Sequence, residues 1–253
     1  MHSITVMDSY NATTEIGPYA FYNCSGFTGN LNLTGTLSID TNINSIQPYA
    51  FYNCHGFTEL IYTNSVKSIG DLAFYNCYGF KGPLKMFNLT TSIGSYAFYN
   101  CHGFTGSLIV PVHLTSIEPF LFYNCSGLNG NLVIPEPVQT ICESAFENCY
   151  GFNGSLTFSG PVKTIEEAAF KNCNGFKGSL ILHNNLQSIH TAAFYKCSGF
   201  TGSLNLPKTV ELIDEYAFTD CKLCVLQLCQ FCRRFNPCCV ACEEKENYTE
   251  INR

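Results

Sequence analysis

Seven cysteines crowd the end of the chain, at Cys221, Cys224, Cys229, Cys232, Cys238, Cys239 and Cys242, and they include three Cys-x-x-Cys pairs. Thiolates at this spacing can chelate zinc, because two ligands on one turn leave the bite that a tetrahedron needs. Cys224, Cys229, Cys232, Cys239 and Cys242 are the candidate ligands. The loops between pairs are short for a zinc ribbon, and the tail has no histidine. Cysteines beside Arg233 and Arg234 also suit acylation near a membrane. A terminus with no specific role is the third reading, so no metal and no other cofactor is assigned.

Other reactive types are scattered. The patterns Gly-x-Ser-x-Gly, His-Glu-x-x-His, Gly-x-x-x-x-Gly-Lys-Ser/Thr and Gly-x-Gly-x-x-Gly are all missing from the sequence. Asp71, Glu118, Glu143, Glu166 and Asp214 read as solvated turn starters, and nothing in the sequence points to a nucleophile, a base and an oxyanion site together. A non-enzymatic protein is expected. Asn-x-Ser/Thr sequons stand at Asn11, Asn23, Asn32, Asn88, Asn124, Asn153 and Asn247. Asn32 and Asn153 are the exposed candidates on a secretory route.

The frame that must position these groups is periodic. Phenylalanine recurs at Phe21, Phe51, Phe74, Phe98, Phe122, Phe146, Phe170, Phe194 and Phe218, each followed three residues later by a cysteine, from Cys24 to Cys221. An isoleucine stands five residues ahead of each Phe, from Ile16 to Ile213. A period of about 24 residues is the mark of a solenoid, in which each unit buries its apolar face only against its neighbours. The first interval is 30 residues, and an insertion rich in Thr, Asn and Gly at Thr34–Asn42 is expected to form an outward loop.

Within each unit, a stretch such as Ser107-Leu108-Ile109-Val110 alternates and stops at Pro111, which fits a short strand. Val138 to Ile141 marks a second short strand or extended arc, and Ala-Phe-Tyr-Asn-Cys a helical turn with Ala and Phe inward. The repeat cysteines read as small buried hydrophobes in the thiol form. The preceding Asn, for example Asn53, Asn76 and Asn100, reads as a cap for buried backbone groups. Tyr22, Tyr52, Tyr75, Tyr99, Tyr123 and Tyr195 form an outer ladder broken by Glu147 and Lys171, with packing as its expected role.

Composition agrees with a folded scaffold. The chain is 46% hydrophobic and 14% aromatic, with a net charge of −6 and only 13 basic residues. That excludes a disordered chain and argues against nucleic acid as a partner. The apolar run Leu223–Cys232 is too short to cross a bilayer, and no secretory signal is readable from Met1 onward.

The segment Ser92 to Leu108, reading Ser-Ile-Gly-x-Tyr-Ala-Phe-Tyr-Asn-Cys-x-Gly-Phe-Thr-Gly-Ser-Leu, closely resembles the BspA-like, or treponemal-type, leucine-rich repeats. The resemblance covers residues 1 to about 222. It implies an α/β leucine-rich-repeat solenoid of nine coils, with a parallel sheet on the concave face and short helical or irregular turns on the convex side. Residues 1–221 would be the solenoid and 222–253 a Cys-rich cap and tail. It further implies a surface adhesin-like role toward a host or matrix protein, or a glycan. The alternative is an intracellular scaffold, or a truncated member of the family without independent function, and a cytoplasmic location goes with it.

Between the inward Leu and Ile of each strand lies one residue on the sheet surface. These positions are Asn32, Ile61, Lys85, Ile109, Val133, Thr157, Ile181 and Asn205. Those from Lys85 to Asn205 are the candidate ligand-binding stripe, apolar over much of its length. β-Branched residues also simply suit exposed strand positions, so both readings stand at this point. The first coil, at Ser3-Ile4-Thr5-Val6, carries no polar cap and is a candidate for self-association through its strand edge.

Overall fold

The computed structural model describes residues 4–6, 14–26, 35–39, 43–62, 65–84, 86, 89–202 and 204–222. They form a parallel β-solenoid. Two strand positions recur per coil, and both stack in register. On one side Ile4–Val6, Gly35–Ile39 and Phe57–Tyr62 make a three-stranded parallel sheet. Further along, Leu132–Ile134 pairs with Leu156–Phe158, and Ile109–Val133 and Ile181–Asn205 are bridged. On the other side, two-residue strands recur from Glu15–Ile16 through Thr140–Ile141, within the stretch expected for a second strand, to Leu212–Ile213. Their isoleucines all point inward.

This second ladder is split into two sheets between Ser92–Ile93 and Ser116–Ile117. The same coil carries Leu121 where its neighbours carry Ala97 and Ala145, and all three side chains are fully buried. The larger side chain spreads the stack there: Phe98 and Phe122 have ring centroids 5.9 Å apart, against 5.2 Å for Phe74 and Phe98.

The turns are where the structure departs most from expectation. Among the described residues there is no α-helix, and the one 3-10 segment is Cys24–Gly26. The Ala-Phe-Tyr-Asn-Cys segment is a run of tight turns and not a helical turn, so the α/β description gives way to a nearly all-β one. The reason lies in where its N–H groups go. Ala50, Tyr52 and Cys54 donate back three residues to the carbonyls of Gln47, Tyr49 and Phe51, at 3.3, 3.2 and 3.1 Å. The alternate donors Tyr49, Phe51 and Asn53 reach sideways to Asp71, Ala73 and Tyr75 of the next coil, at 3.0, 2.7 and 2.8 Å. A helix would keep every one of those bonds within the segment.

Alternation of this kind needs two left-handed residues per coil. One lies two residues before the repeat Phe, as at Tyr49, Leu72 and Tyr96, and the other two residues after it, as at Asn53, Asn76 and Asn100. Asparagine tolerates this conformation best after glycine. Its side chains are then spent on each other and not on capping the backbone. Asn53, Asn76, Asn100 and Asn124 each donate Nδ2 to the Oδ1 of the preceding coil's Asn, at 2.6–2.9 Å.

The insertion is also placed differently. Leu37, Ser38 and Ile39 pair in register with Leu60, Ile61 and Tyr62, so 35–39 is the regular strand and not an outward loop. Ser38 is the residue in register with Ile61, the place in the ladder that spacing assigned to Asn32, which lies outside the described residues.

Stacked phenylalanines fill the centre. From Phe21 to Phe218 the repeat Phe rings stack at 5.0–5.9 Å, nearly parallel. A second column includes Phe80, Phe104, Phe152, Phe176 and Phe200. Coils touch through backbone as well: a Cβ at Gly103 would lie 2.2 Å from the Phe80 carbonyl oxygen and 2.3 Å from that of Tyr78.

Candidate recognition surface

Parallel pairing between neighbouring coils brings the same strand position of each coil side by side. Leu132 and Ile134 point into the core while Val133 points out, and Leu156 and Phe158 do the same around Thr157. Val133 lies opposite Thr157 and is bridged to Ile109, and Ile181 is bridged to Asn205. Ile109 is 64% exposed, Val133 46% and Ile181 70%. Thr157 and Asn205 are exposed too. Ile109, Val133 and Thr157 therefore share one paired line, Ile181 and Asn205 form a second pair at the same place in later coils, and Lys85 lies outside the described residues.

Sequence reasoning missed one contributor. Val112 is 56% exposed and borders a shallow groove with Ile109, Val133, Pro135 and Pro137. It follows the strand-ending Pro111, so the alternation of the strand does not reach it. Leaving side chains of this size in water forgoes roughly 1.5–3 kcal/mol each relative to full burial.

Among the described residues nothing comparable gathers for catalysis. Cys142, Glu118, Glu166, His190 and Asp214 form a column after the two-residue strands. His190 Nδ1 lies 2.9 Å from Asp214 Oδ2, and its Nε2 lies 3.7 Å from Glu166 Oε2. Burial, then Glu118 and Glu166, push the Cys142 thiol up to about 11, so it is not a thiolate nucleophile at neutral pH. Among the described residues no three His, Cys, Asp or Glu side chains converge as a metal site. The candidate zinc ligands Cys224, Cys229, Cys232, Cys239 and Cys242 lie outside the described residues, as does the candidate sequon at Asn32.

The repeat cysteines carry a bond that their hydrophobic character hid. Cys77 Sγ donates to the Phe51 carbonyl at 3.0 Å, and Cys101, Cys149, Cys173 and Cys197 repeat the bond to the preceding coil's Phe at the same distance. Each such carbonyl also accepts the Cys N–H of its own coil, as Phe51 does from Cys54. Burial, then the neighbouring cysteine, raises these thiols well above their ordinary range. The described cysteines are free.

In the turn segments, the tyrosine ladder is stacked (Tyr75–Tyr99, 4.6 Å) and half-buried except at Tyr22, which is exposed. Glu147 and Lys171, which break it, form an ion pair at 3.0 Å. Asn153, a sequon residue, is exposed, while Asn124 is held in the amide ladder. Among the described residues, no helix is long and apolar enough to cross a membrane.

Comparison with known proteins agrees with this architecture. The model of the BspA type leucine rich repeat region matches the chain in six copies, over residues 14–82, 44–177, 91–224 and 163–251. A leucine-rich repeat protein of T. pallidum superposes with a TM-score of 0.54 at 17% identity, covering 69% of this chain and 77% of its own. A leucine rich cell surface protein of Faecalibacterium prausnitzii gives a TM-score of 0.50 at 19% identity, covering 88% and 80%. Among curated proteins none matches.

Proposed function

We propose that this chain, which belongs to the BspA-type leucine-rich-repeat family, is a non-enzymatic recognition scaffold that holds a protein ligand against the Ile109–Ile181 stripe. The family is one of repeat scaffolds that present surface and do no chemistry. We read its 24-residue spacing as nine coils, with 222–253 as a separate Cys-rich cap. The observation that carries the reading is the exposure of apolar side chains at the same place in successive coils, with Ile109 paired to Val133 and Ile181 paired to Asn205. Strand propensity alone accounts for β-branched residues at these positions. It does not account for Val112, which lies off the strand and lines the same groove.

A similar fold is found in a protein described as a cell surface protein, and surface adhesion to a host or matrix protein is the role we assign. An intracellular scaffold is the alternative. Antibody staining of intact against permeabilised source cells separates the two. The binding role itself is tested by flowing the purified chain over immobilised fibronectin, laminin and fibrinogen. Saturable binding to at least one, lost in Val133→Glu/Ile181→Glu with the circular-dichroism spectrum retained, supports the reading. Binding unchanged in the double variant overturns it.

A further inference from the structure

The ladder of two-residue strands contains one broken step, and a groove opens beside it. At the other steps the residue after the inward isoleucine donates its N–H to the isoleucine carbonyl of the preceding coil, from Gln47 on Ile16 to Asp214 on Ile189, at 2.7–2.9 Å. The step from Ile93 to Glu118 carries no such bond, and it falls where the ladder divides into two sheets. A ladder carbonyl and a ladder N–H therefore stand on either side of the break without being joined. Backbone groups of this kind are seldom left without a partner from protein, water or ligand.

The same coils lack side chains at the surface. In the column that follows the isoleucines, Gln47, Glu118 and Glu166 carry long groups, whereas Gly70 and Gly94 carry none. Two adjacent coils are thus bare backbone between Gln47 and Glu118, a span of three ladder steps or roughly 14 Å. The groove encloses about 460 Å³, within the roughly 300–1,000 Å³ of small-molecule sites.

Its walls are polar and held in place. Gln47 is drawn toward the preceding coil, where its Nε2 donates to Glu15 Oε2 at 2.8 Å and to Ser45 Oγ at 3.1 Å. Asp71 lies over Gly94: a Cβ there would come 2.2 Å from Asp71 Oδ1, and that oxygen accepts the Ser95 N–H at 2.9 Å. Glu118 closes the far end, with one oxygen accepting from the Ser116 hydroxyl. Ser68 and Ser92 add hydroxyls, Pro48 adds apolar C–H surface, and among the described residues no Lys, Arg or His lines the groove. The Ile93 side chain is buried, so what it presents here is backbone.

This lining selects by hydrogen-bond type. Two carboxylates repel an anion. An ammonium group or a metal ion would suit them but can accept nothing from the Glu118 N–H. A sugar hydroxyl both donates and accepts. One pyranose ring can give protons to the Asp71 and Glu118 carboxylates and the Ile93 carbonyl while accepting from the N–H. We infer that the groove at Gly70 and Gly94 is a binding site for a neutral pyranose sugar, which bridges the broken step of the ladder. It lies on the other strand position from the stripe and is independent of it.

The probes are the methyl glycosides of glucose, galactose, mannose, fucose and N-acetylglucosamine, titrated singly into the isotope-labelled full chain with the amides followed by NMR. At least one should give saturable shifts centred on Gly70, Gly94 and Glu118, with a Kd of about 1–10 mM. In the free chain the Glu118 N–H should exchange with solvent about tenfold faster than those of Gly94 and Cys142, and the bound sugar should slow it. Glu118→Ala should weaken binding several-fold, and Ser92→Phe, which fills the edge of the groove, should abolish it, both with the parent's circular-dichroism spectrum. Val133→Glu/Ile181→Glu should bind as the parent does. The inference is overturned if no glycoside shifts these amides at about 50 mM, or if ethylammonium or calcium shifts them at lower concentration than any glycoside. A Glu118 N–H as protected as that of Gly94 in the free chain, or either groove variant binding as the parent does, also overturns it.

Discussion

Alkaline pH should dismantle this solenoid well before it disturbs an ordinary protein of the same size. Six thiols, those of Cys77, Cys101, Cys125, Cys149, Cys173 and Cys197, are fully buried with pKa values raised well above normal. Burial is the first cause in each. A raised acid keeps its proton in the folded state, whereas the same thiol in the unfolded chain ionises near pH 8.5. The contribution is therefore intact below about pH 8.5 and is lost as pH rises from there toward the folded-state value. Each thiol then costs about 0.06 kcal/mol at pH 7.5 and about 1.4 kcal/mol at pH 9.5. Six of them remove about 8 kcal/mol between those two values, which is comparable to the whole stability of a typical domain. Cys142, half-buried and raised to about 11, acts in the same direction. Urea unfolding followed by far-UV circular dichroism, with a phosphine reductant present, should show the midpoint collapsing across this range. Cys125→Ala should be less stable at pH 7.5 and lose about 1.4 kcal/mol less on going to pH 9.5. A stability at pH 9.5 within about 1 kcal/mol of that at pH 7.5 would refute the burial of ionisable thiols on which the reasoning rests.

Asn100→Ala should cost about 2–4 kcal/mol in the same urea assay. It removes the bond to Asn76 at 2.9 Å and the bond from Asn124 at 2.6 Å, and it puts a β-carbon without a polar group at φ 59°. Asn100→Gly, free of the backbone penalty, should cost less than Asn100→Ala. Gly103→Ala should prevent normal stacking, since its new carbon meets two backbone carbonyl oxygens that cannot turn aside; the expected readout is loss of soluble folded protein or a midpoint lowered by several molar-scale tenths of urea. Lys171→Met should lower stability by about 1–3 kcal/mol, because it leaves the buried Glu147 carboxylate with only the Ser144 hydroxyl as partner.

The repeat was legible because core ladders depend on residue size at a fixed period. Phe74, Phe98 and Phe146 could be placed inside from spacing alone, and so could Val133 and Thr157 outside. The first-coil insertion was not legible. Leu31-Asn32-Leu33 and Leu37-Ser38-Ile39 are both apolar–polar–apolar triplets, and only the pairing of Ser38 with Ile61 in the next coil chooses between them. Asparagine two residues after most of the repeat phenylalanines, as at Asn53, Asn76 and Asn100, carried a readable signal for left-handed backbone, and reading it as a cap missed that. The other left-handed position carried none, being held by Tyr49, Leu72, Phe120, Ser144 and Ala168 in turn. Without it the Ala-Phe-Tyr-Asn-Cys run looks helical. The thiol-to-carbonyl bonds and the stacked tyrosines were equally hidden, since both are contacts between coils that local composition does not specify.

The recognition stripe is tested most directly by placing a photo-crosslinking amino acid at position 157, in the middle of the stripe, and separately at position 195 on the outer arc. Each protein is irradiated with a matrix protein that the parent chain binds. The account predicts a covalent adduct from position 157 and none from position 195. An adduct from 195 alone, or equal yields from both, would contradict the assignment of the binding surface to the sheet face.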